Sequence, residues 1–237
     1  MQSWDGGSAG EPGAGGSSSS GGGFGGGDAS SCQPGSLATY RPDAYHPASG
    51  AWQGACLPGA QGDPIASFYA ECLAPDATSE RCNLFRQQNT ACVACILTPE
   101  MAALYGPILD HGGFVTANVA GCVELAGEQQ ADASEVRCAE SVQALAGCEL
   151  AACEANCAVH DAASLTAYDA CATSAEASGC QSYATAAVCA ESAGDASALG
   201  AACLGDFQTF YEAVVPHFCG PPPAFDAGAP APDAAGD

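Results

Sequence analysis

The chain contains no lysine. Its only side-chain cations besides histidine are Arg41, Arg81, Arg86 and Arg137, set against 27 acids for a formal net charge of −23. Four scattered guanidiniums cannot neutralise a run of phosphates, so nucleic-acid binding is excluded as a function class. Attraction to an anionic membrane surface is excluded on the same ground. Without lysine there is no P-loop ammonium, no Schiff-base nucleophile and no lysine general base. No stretch reaches the roughly 18 apolar residues of a membrane-spanning helix, so no span is expected. Large apolar side chains are scarce as well. Leu, Ile, Val and Phe make up 34 of 237 residues, and much of the 48% hydrophobic content is alanine, at 52 residues. That share lies under the ~20% at which a strongly charged chain is read as disordered. Here only 13% of residues are charged, and a thin core needs support from elsewhere.

The support is cysteine. Sixteen are present, at Cys32, Cys56, Cys72, Cys82, Cys92, Cys95, Cys122, Cys138, Cys148, Cys153, Cys157, Cys171, Cys180, Cys189, Cys203 and Cys219. An even number confined to one region reads as a disulfide framework matured in an oxidising compartment. Each bond is worth roughly 2–4 kcal/mol, mainly by restricting the unfolded chain, so folding is expected to depend on oxidation. Spacing leaves the pairing open. The start, Met1-Gln2-Ser3-Trp4-Asp5, has no basic region followed by an apolar core and is not a signal peptide. An export signal is therefore expected to have been removed or to lie upstream, and Met1 would stand where a lipid-bearing cysteine was. The expected location is extracytoplasmic, secreted or on the outer surface, with a lipid anchor on the native precursor.

Composition divides the chain in three. Residues 1–31 are a flexible Gly/Ser-rich tether, 32–219 a cysteine-rich helical domain, and 220–237 a disordered Pro/Ala/Asp tail. Within the domain, 32–62 reads as Gly/Pro-rich loop. Asp63 and Pro64 open a helix carrying Ile65, Phe68, Tyr69, Cys72 and Leu73 at helical spacing, stopped by Pro75. Helix is expected over 79–88 and from Asn89 or Thr90 to Thr98-Pro99. A hairpin pairs 107–109 with 114–116 around Asp110-His111-Gly112-Gly113. Asn118 caps 119–127, Asp132 and Glu135 form a capping-box-like pair before the next helix, and Cys148–Cys157, 165–176 and 181–191 follow. A last helix capped by Asp206 ends at Pro216. A weak echo relates Cys138-Ala-Glu-Ser…Gly147-Cys148 to Cys171-Ala-Thr-Ser…Gly179-Cys180.

Candidate chemistry is sparse. Cys92-Val-Ala-Cys95 is the single CxxC, but it lacks the preceding strand and βαβ context of a thioredoxin-like site, so different partners are expected for the two. Cys148, Cys153 and Cys157 with His160 are the densest possible metal-ligand set, yet the second knuckle of a zinc site is missing, and cross-links between helices explain them better. The Cys-x9-Cys spacings are those of twin-CX9C hairpins, but they are not cleanly twinned and that family is not adopted. His46, His111 and His217 sit in a loop, a turn and a helix end. No G-x-S-x-G, H-E-x-x-H, P-loop or Rossmann fingerprint is present. Trp52, Tyr69, Phe207 and Tyr211 are expected in the core or at an interface.

The Gly/Ser tether, the acidic Ala-rich body and the run Thr98-Pro99-Glu100…Tyr105-Gly106-Pro107…Asn118-Val119-Ala120-Gly121-Cys122 resemble uncharacterised cysteine-rich lipoproteins of myxobacterial type, over about residues 90–219. The resemblance implies an envelope or secreted location and carries over no catalytic residue. The expected fold is mostly α and disulfide-rich, with short helices cross-linked by about eight disulfides and one small β-hairpin near 107–116. The expected role is a non-catalytic module without cofactor, binding or structural at the cell envelope, toward an unknown envelope or extracellular partner. The alternatives are a metal-binding or thiol-redox protein using Cys92/Cys95 or the Cys148–His160 cluster, and a hydrolase whose residues converge only in three dimensions.

Overall fold

A computed structural model describes residues 2–3, 32–59, 62–74, 76–128 and 134–223. The protein is mostly α, with a small sheet and eight disulfides. Asp63 accepts from the Ile65 N–H and Pro64 opens α1 (Pro64–Phe68), where Pro costs no helical hydrogen bond. The helix widens into a π turn over Tyr69–Leu73 that buries Cys72 and Leu73. The stop expected at Pro75 lies outside the described residues. Thr78 caps α2 (Ser79–Gln88), and Cys72–Cys82 ties it to the π turn. In α3 (Thr90–Ile96), Cys92, Val93, Cys95 and Ile96 are buried.

The helix expected to run to Thr98-Pro99 ends at Ile96, and Leu97–Pro99 becomes a strand. Proline clashes with a helical residue before it, so Thr98 is pushed to extended backbone. In chain order the strands are β1 (Gln2–Ser3), β2 (Leu97–Pro99), β3 (Ile108–Asp110) and β4 (Phe114–Ala117). The expected hairpin is β3–β4, with Leu109 opposite Thr116 and Asp110 opposite Val115. Gly112 turns it at φ +80°, with its N–H donating to Asp110 Oδ1 at 2.8 Å. β2 adds in parallel beside β3, and the two-residue β1, from the segment read as tether, pairs antiparallel with β4.

Asn118 is buried where the sheet enters α4 (Val119–Glu128). Its Oδ1 accepts from the Gly121 N–H, and its Nδ2 donates to the Gly106 carbonyl, both at 2.9 Å. Helix α5 (Ser134–Cys153) is one unbroken rod of 20 residues; the Asp132–Glu135 side-chain pair lies outside the described residues. Asp161 and Ser164 form a capping box at the start of α6 (Ala162–Glu176). The helix expected over 181–191 is divided into α7 (Gln181–Ala187) and α8 (Cys189–Ala196), separated by Val188. Six residues not expected as helix form α9 (Ala198–Cys203), capped by Ser197. Helix α10 (Phe207–Cys219) continues through Pro216 rather than ending there.

Apolar packing forms two clusters. The larger joins α1–α4 and the sheet to α8–α10 through Phe68, Ile96, Ile108, Val115, Phe210 and Val214. The smaller lies between α5, α6 and the start of α7, around Phe114, Tyr168 and Ala175. Strand β4 serves both: Val115 points into the first and Phe114 into the second, as alternation along a strand requires. The segment 32–41 covers the second. There the sequence echo acquires a physical meaning. A Cβ on Gly147 would meet the Tyr40 hydroxyl, and one on Gly179 would meet Leu37. Cys148 and Cys180, which follow those glycines, bond to each other.

Candidate functional site

Every described cysteine is bonded. The pairs are 32–157, 56–92, 72–82, 95–219, 122–203, 138–189, 148–180 and 153–171. Cys92 and Cys95, adjacent on α3, go to different partners, one holding the 52–57 loop and the other the end of α10. Of the Cys148–His160 set, the three cysteines are bonded to Cys180, Cys171 and Cys32, and His160 is exposed with its backbone N–H donating to Ser164 Oγ. The three closest metal-type ligand atoms among the described residues are the sulfurs of Cys32, Cys157 and Cys171, all in disulfides. This is the sulfur chemistry of a chain matured in an oxidising, extracytoplasmic compartment. No helix is long and apolar enough to cross a membrane among the described residues.

An open groove of about 580 Å³ lies between Leu57, Gly59, Gly62, α1 and α2. Leu57, Pro64, Leu84 and Phe85 give it apolar walls, and Ser67, Gln88 and Asn89 add polar edges. Leu57 and Leu84 are 61% and 56% exposed, so the groove presents apolar surface to solvent. Across one side Arg81 Nε meets Glu71 Oε2 at 2.6 Å. Hydrogen bonding to Arg81 holds the Glu71 carboxyl below its ordinary range.

A second arrangement lies on the sheet. His111, from the hairpin turn, pairs through Nδ1 with the Glu100 carboxylate and through Nε2 with Thr116 Oγ1 at 2.9 Å. Its ring stacks on Phe114 at 4.8 Å. With Nδ1–H donated to the carboxylate, Nε2 is free to accept from the Thr116 hydroxyl, the order in which imidazole activates a hydroxyl nucleophile. The His111 side chain is only 7% exposed. Neither His111 nor Thr116 lines the groove at α2 or the smaller cavity beside it. Geometrically the trio clasps the end of β2 to the hairpin. Neighbouring loops are held in the same manner: Glu124 accepts from the Tyr45 hydroxyl and the Ala48 N–H, and His46 stacks on Tyr105 at 4.5 Å.

Sequence reasoning placed His111 in the turn but supplied neither partner. Glu100 reaches it because 97–99 is a parallel strand rather than helix, and the Thr98-Pro99 step was the available signal. His217 is buried beside Trp52, and burial lowers its proton affinity. Of the four aromatics expected in the core or at an interface, Tyr211 is fully enclosed and Tyr69 and Phe207 pack around it, while Trp52 is 37% exposed. No family model, curated protein or solved structure matches the chain.

Proposed function

We propose that this is a non-catalytic, disulfide-stapled module of the cell envelope, secreted or tethered to the outer surface through its Gly/Ser-rich segment, that holds a partner at a distance from its anchor. The observation that carries this is the placement of the two longest cross-links. Cys32–Cys157 and Cys95–Cys219 span 125 and 124 residues and secure the first and last cysteines of the domain. A body clamped at the root of its tether suits transmission of position. The groove beside α2 offers the exposed Leu57 and Leu84 side chains to a partner. The myxobacterial-type resemblance supports the same location. The test is export. Behind a cleavable export signal the chain should accumulate folded and protease-resistant, whereas in a reducing cytoplasm it should be degraded or aggregate. Equal folding in both compartments would overturn the reading.

A second reading rests on the Glu100–His111–Thr116 order, which favours a hydrolase with Thr116 as nucleophile. It requires labelling of Thr116 by a fluorophosphonate probe, abolished in His111→Ala. An unlabelled native chain assigns the trio to structure alone.

A further inference from the structure

The sulfur atoms of Cys32, Cys157 and Cys171 lie within 4.8 Å of one another. They belong to two disulfides, Cys32–Cys157 and Cys153–Cys171, which therefore meet at the C-terminal end of α5. Cys153 closes that helix, and the Cys157 N–H donates back to the Cys153 carbonyl at 2.9 Å. Cys153, Cys157 and Cys171 are buried, whereas Cys32 is partly exposed. Only Cys189 among the other cysteines shares that exposure. Among the described residues no other three cysteine sulfurs gather in this way.

We propose that these two bonds form a thiol–disulfide exchange site that accepts a small monothiol at Cys32 and passes the opening inward to Cys153. In the first step the incoming thiolate attacks Cys32 Sγ. A mixed disulfide forms there, the Cys32–Cys157 bond breaks, and the electron pair leaves on Cys157. Access favours attack at Cys32. So does charge, because the Ala167 carbonyl oxygen lies 3.1 Å from Cys32 Sγ and opposes negative charge on that sulfur. In the second step the Cys157 thiolate attacks Cys171 Sγ. Cys157–Cys171 forms, Cys153–Cys171 breaks, and Cys153 leaves as a thiolate that takes up the proton given up by the incoming thiol. One thiol is consumed and one is produced, with no net oxidation.

The second step gives the first its direction. A thiolate left on Cys157 would attack the mixed disulfide and reseal the original bond; once it is spent on Cys171, resealing requires the Cys153 thiolate to reverse the second step first. Helix α6 stays cross-linked to the end of α5, now through Cys157, while residue 32 is released. The segment it anchors is then held by Gly35 N–H to the Ala152 carbonyl, Asn156 Nδ2 to the Gln33 carbonyl and Tyr40 hydroxyl to the Ala144 carbonyl. The site is thus a thiol-triggered loosening of residue 32, while β1 stays paired with β4. Cys138–Cys189 provides an internal comparison: it is also partly exposed but has no third sulfur to carry an opening further.

The inference rests on the stapled reading proposed above, and one experiment separates the two. The native full-length chain is alkylated in denaturant before and after stoichiometric cysteamine, a cationic monothiol suited to a body of net charge −23, and its peptides are mapped by mass. Thiols labelled before cysteamine would overturn the stapled reading and this inference with it. From a fully bonded start, the expected map is a cysteamine adduct on Cys32, a new Cys157–Cys171 peptide and alkylated Cys153. Alkylated Cys157 with Cys153–Cys171 retained, or other bonds opening while Cys32 stays unmodified, would overturn the exchange alone. In the double variant C153S/C171S, resealing by Cys157 should sharply reduce the Cys32 adduct, and an undiminished adduct counts against the relay. The wild-type map decides the question even if that variant fails to fold.

Discussion

Gly106 shows how little room single residues leave where the sheet meets α4. Its N–H donates to Thr98 Oγ1 at 3.0 Å, its carbonyl accepts from Asn118, and an added Cβ would collide with the Cys95 carbonyl. Gly106→Ala is therefore expected to cost about 1–3 kcal/mol by overpacking, read as a lower urea midpoint at unchanged slope. Glu149 governs a pH response. Burial, followed by a carboxyl–carboxyl hydrogen bond with Glu176, pushes its pKa up to about 8, from about 4.3 for an unperturbed glutamate. Between those values the folded chain holds a proton that the unfolded chain has lost. This contribution to stability is present in full below the unfolded value and is lost as pH rises through about 8. Thermal scans should show Tm falling across that window, and Glu149→Gln should flatten the fall; an identical pH profile in the variant would contradict this assignment. None of this was legible residue by residue. The sequence offers 27 acids, and only packing of α5 against α6 selects one.

At the scale of elements, most helices were legible because their punctuation is local. Asp63-Pro64, Asn118 and Asp206 mark starts that the folded chain uses. The chain departs from this punctuation where a tertiary contact outweighs a local rule. Pro216 should end α10, since it cannot donate to the Glu212 carbonyl four residues earlier. Buried Phe218 and the Cys95–Cys219 bond, however, fix the last turn. Helix α9 is not legible in the sequence, because its six residues, rich in Ala and Gly, carry no periodicity. Ser197 accepts from the Gly200 N–H at 2.9 Å and supplies its cap. Ser197→Ala should cost about 1 kcal/mol, with loss of amide protection confined to α9 and the adjoining end of α8. The β2–hairpin clasp makes its own prediction. Without the imidazole, His111→Ala should speed hydrogen exchange in β3 and β4 while leaving α5–α7 unchanged. Uniform acceleration would show that the trio is not a local tie.

For the whole molecule, the deficit of large apolar residues seen in the sequence is met in the fold by cross-links distributed through both clusters. All sixteen half-cystine positions fall among or against the residues of those clusters, so the bonds reinforce the cores instead of replacing them. The cysteine count made the framework legible; the pairing was not, because spacing along the chain carries no distance in space. Net charge acts on the same scale. With −23 charges and no lysine, self-repulsion should make the fold less stable at low ionic strength. Tm should rise as salt approaches about 0.15 M, where the Debye length falls to ~8 Å; a salt-independent Tm would mean that the acids are too dispersed to repel. The central claim, that folding and cross-linking are one event in an oxidising compartment, is tested most directly by intact mass. The native, unreduced, exported protein is alkylated and weighed beside the reduced chain. The account predicts no label and a mass lower by the hydrogens of eight disulfides. Two or more labelled cysteines, or a metal retained through desalting, would contradict it.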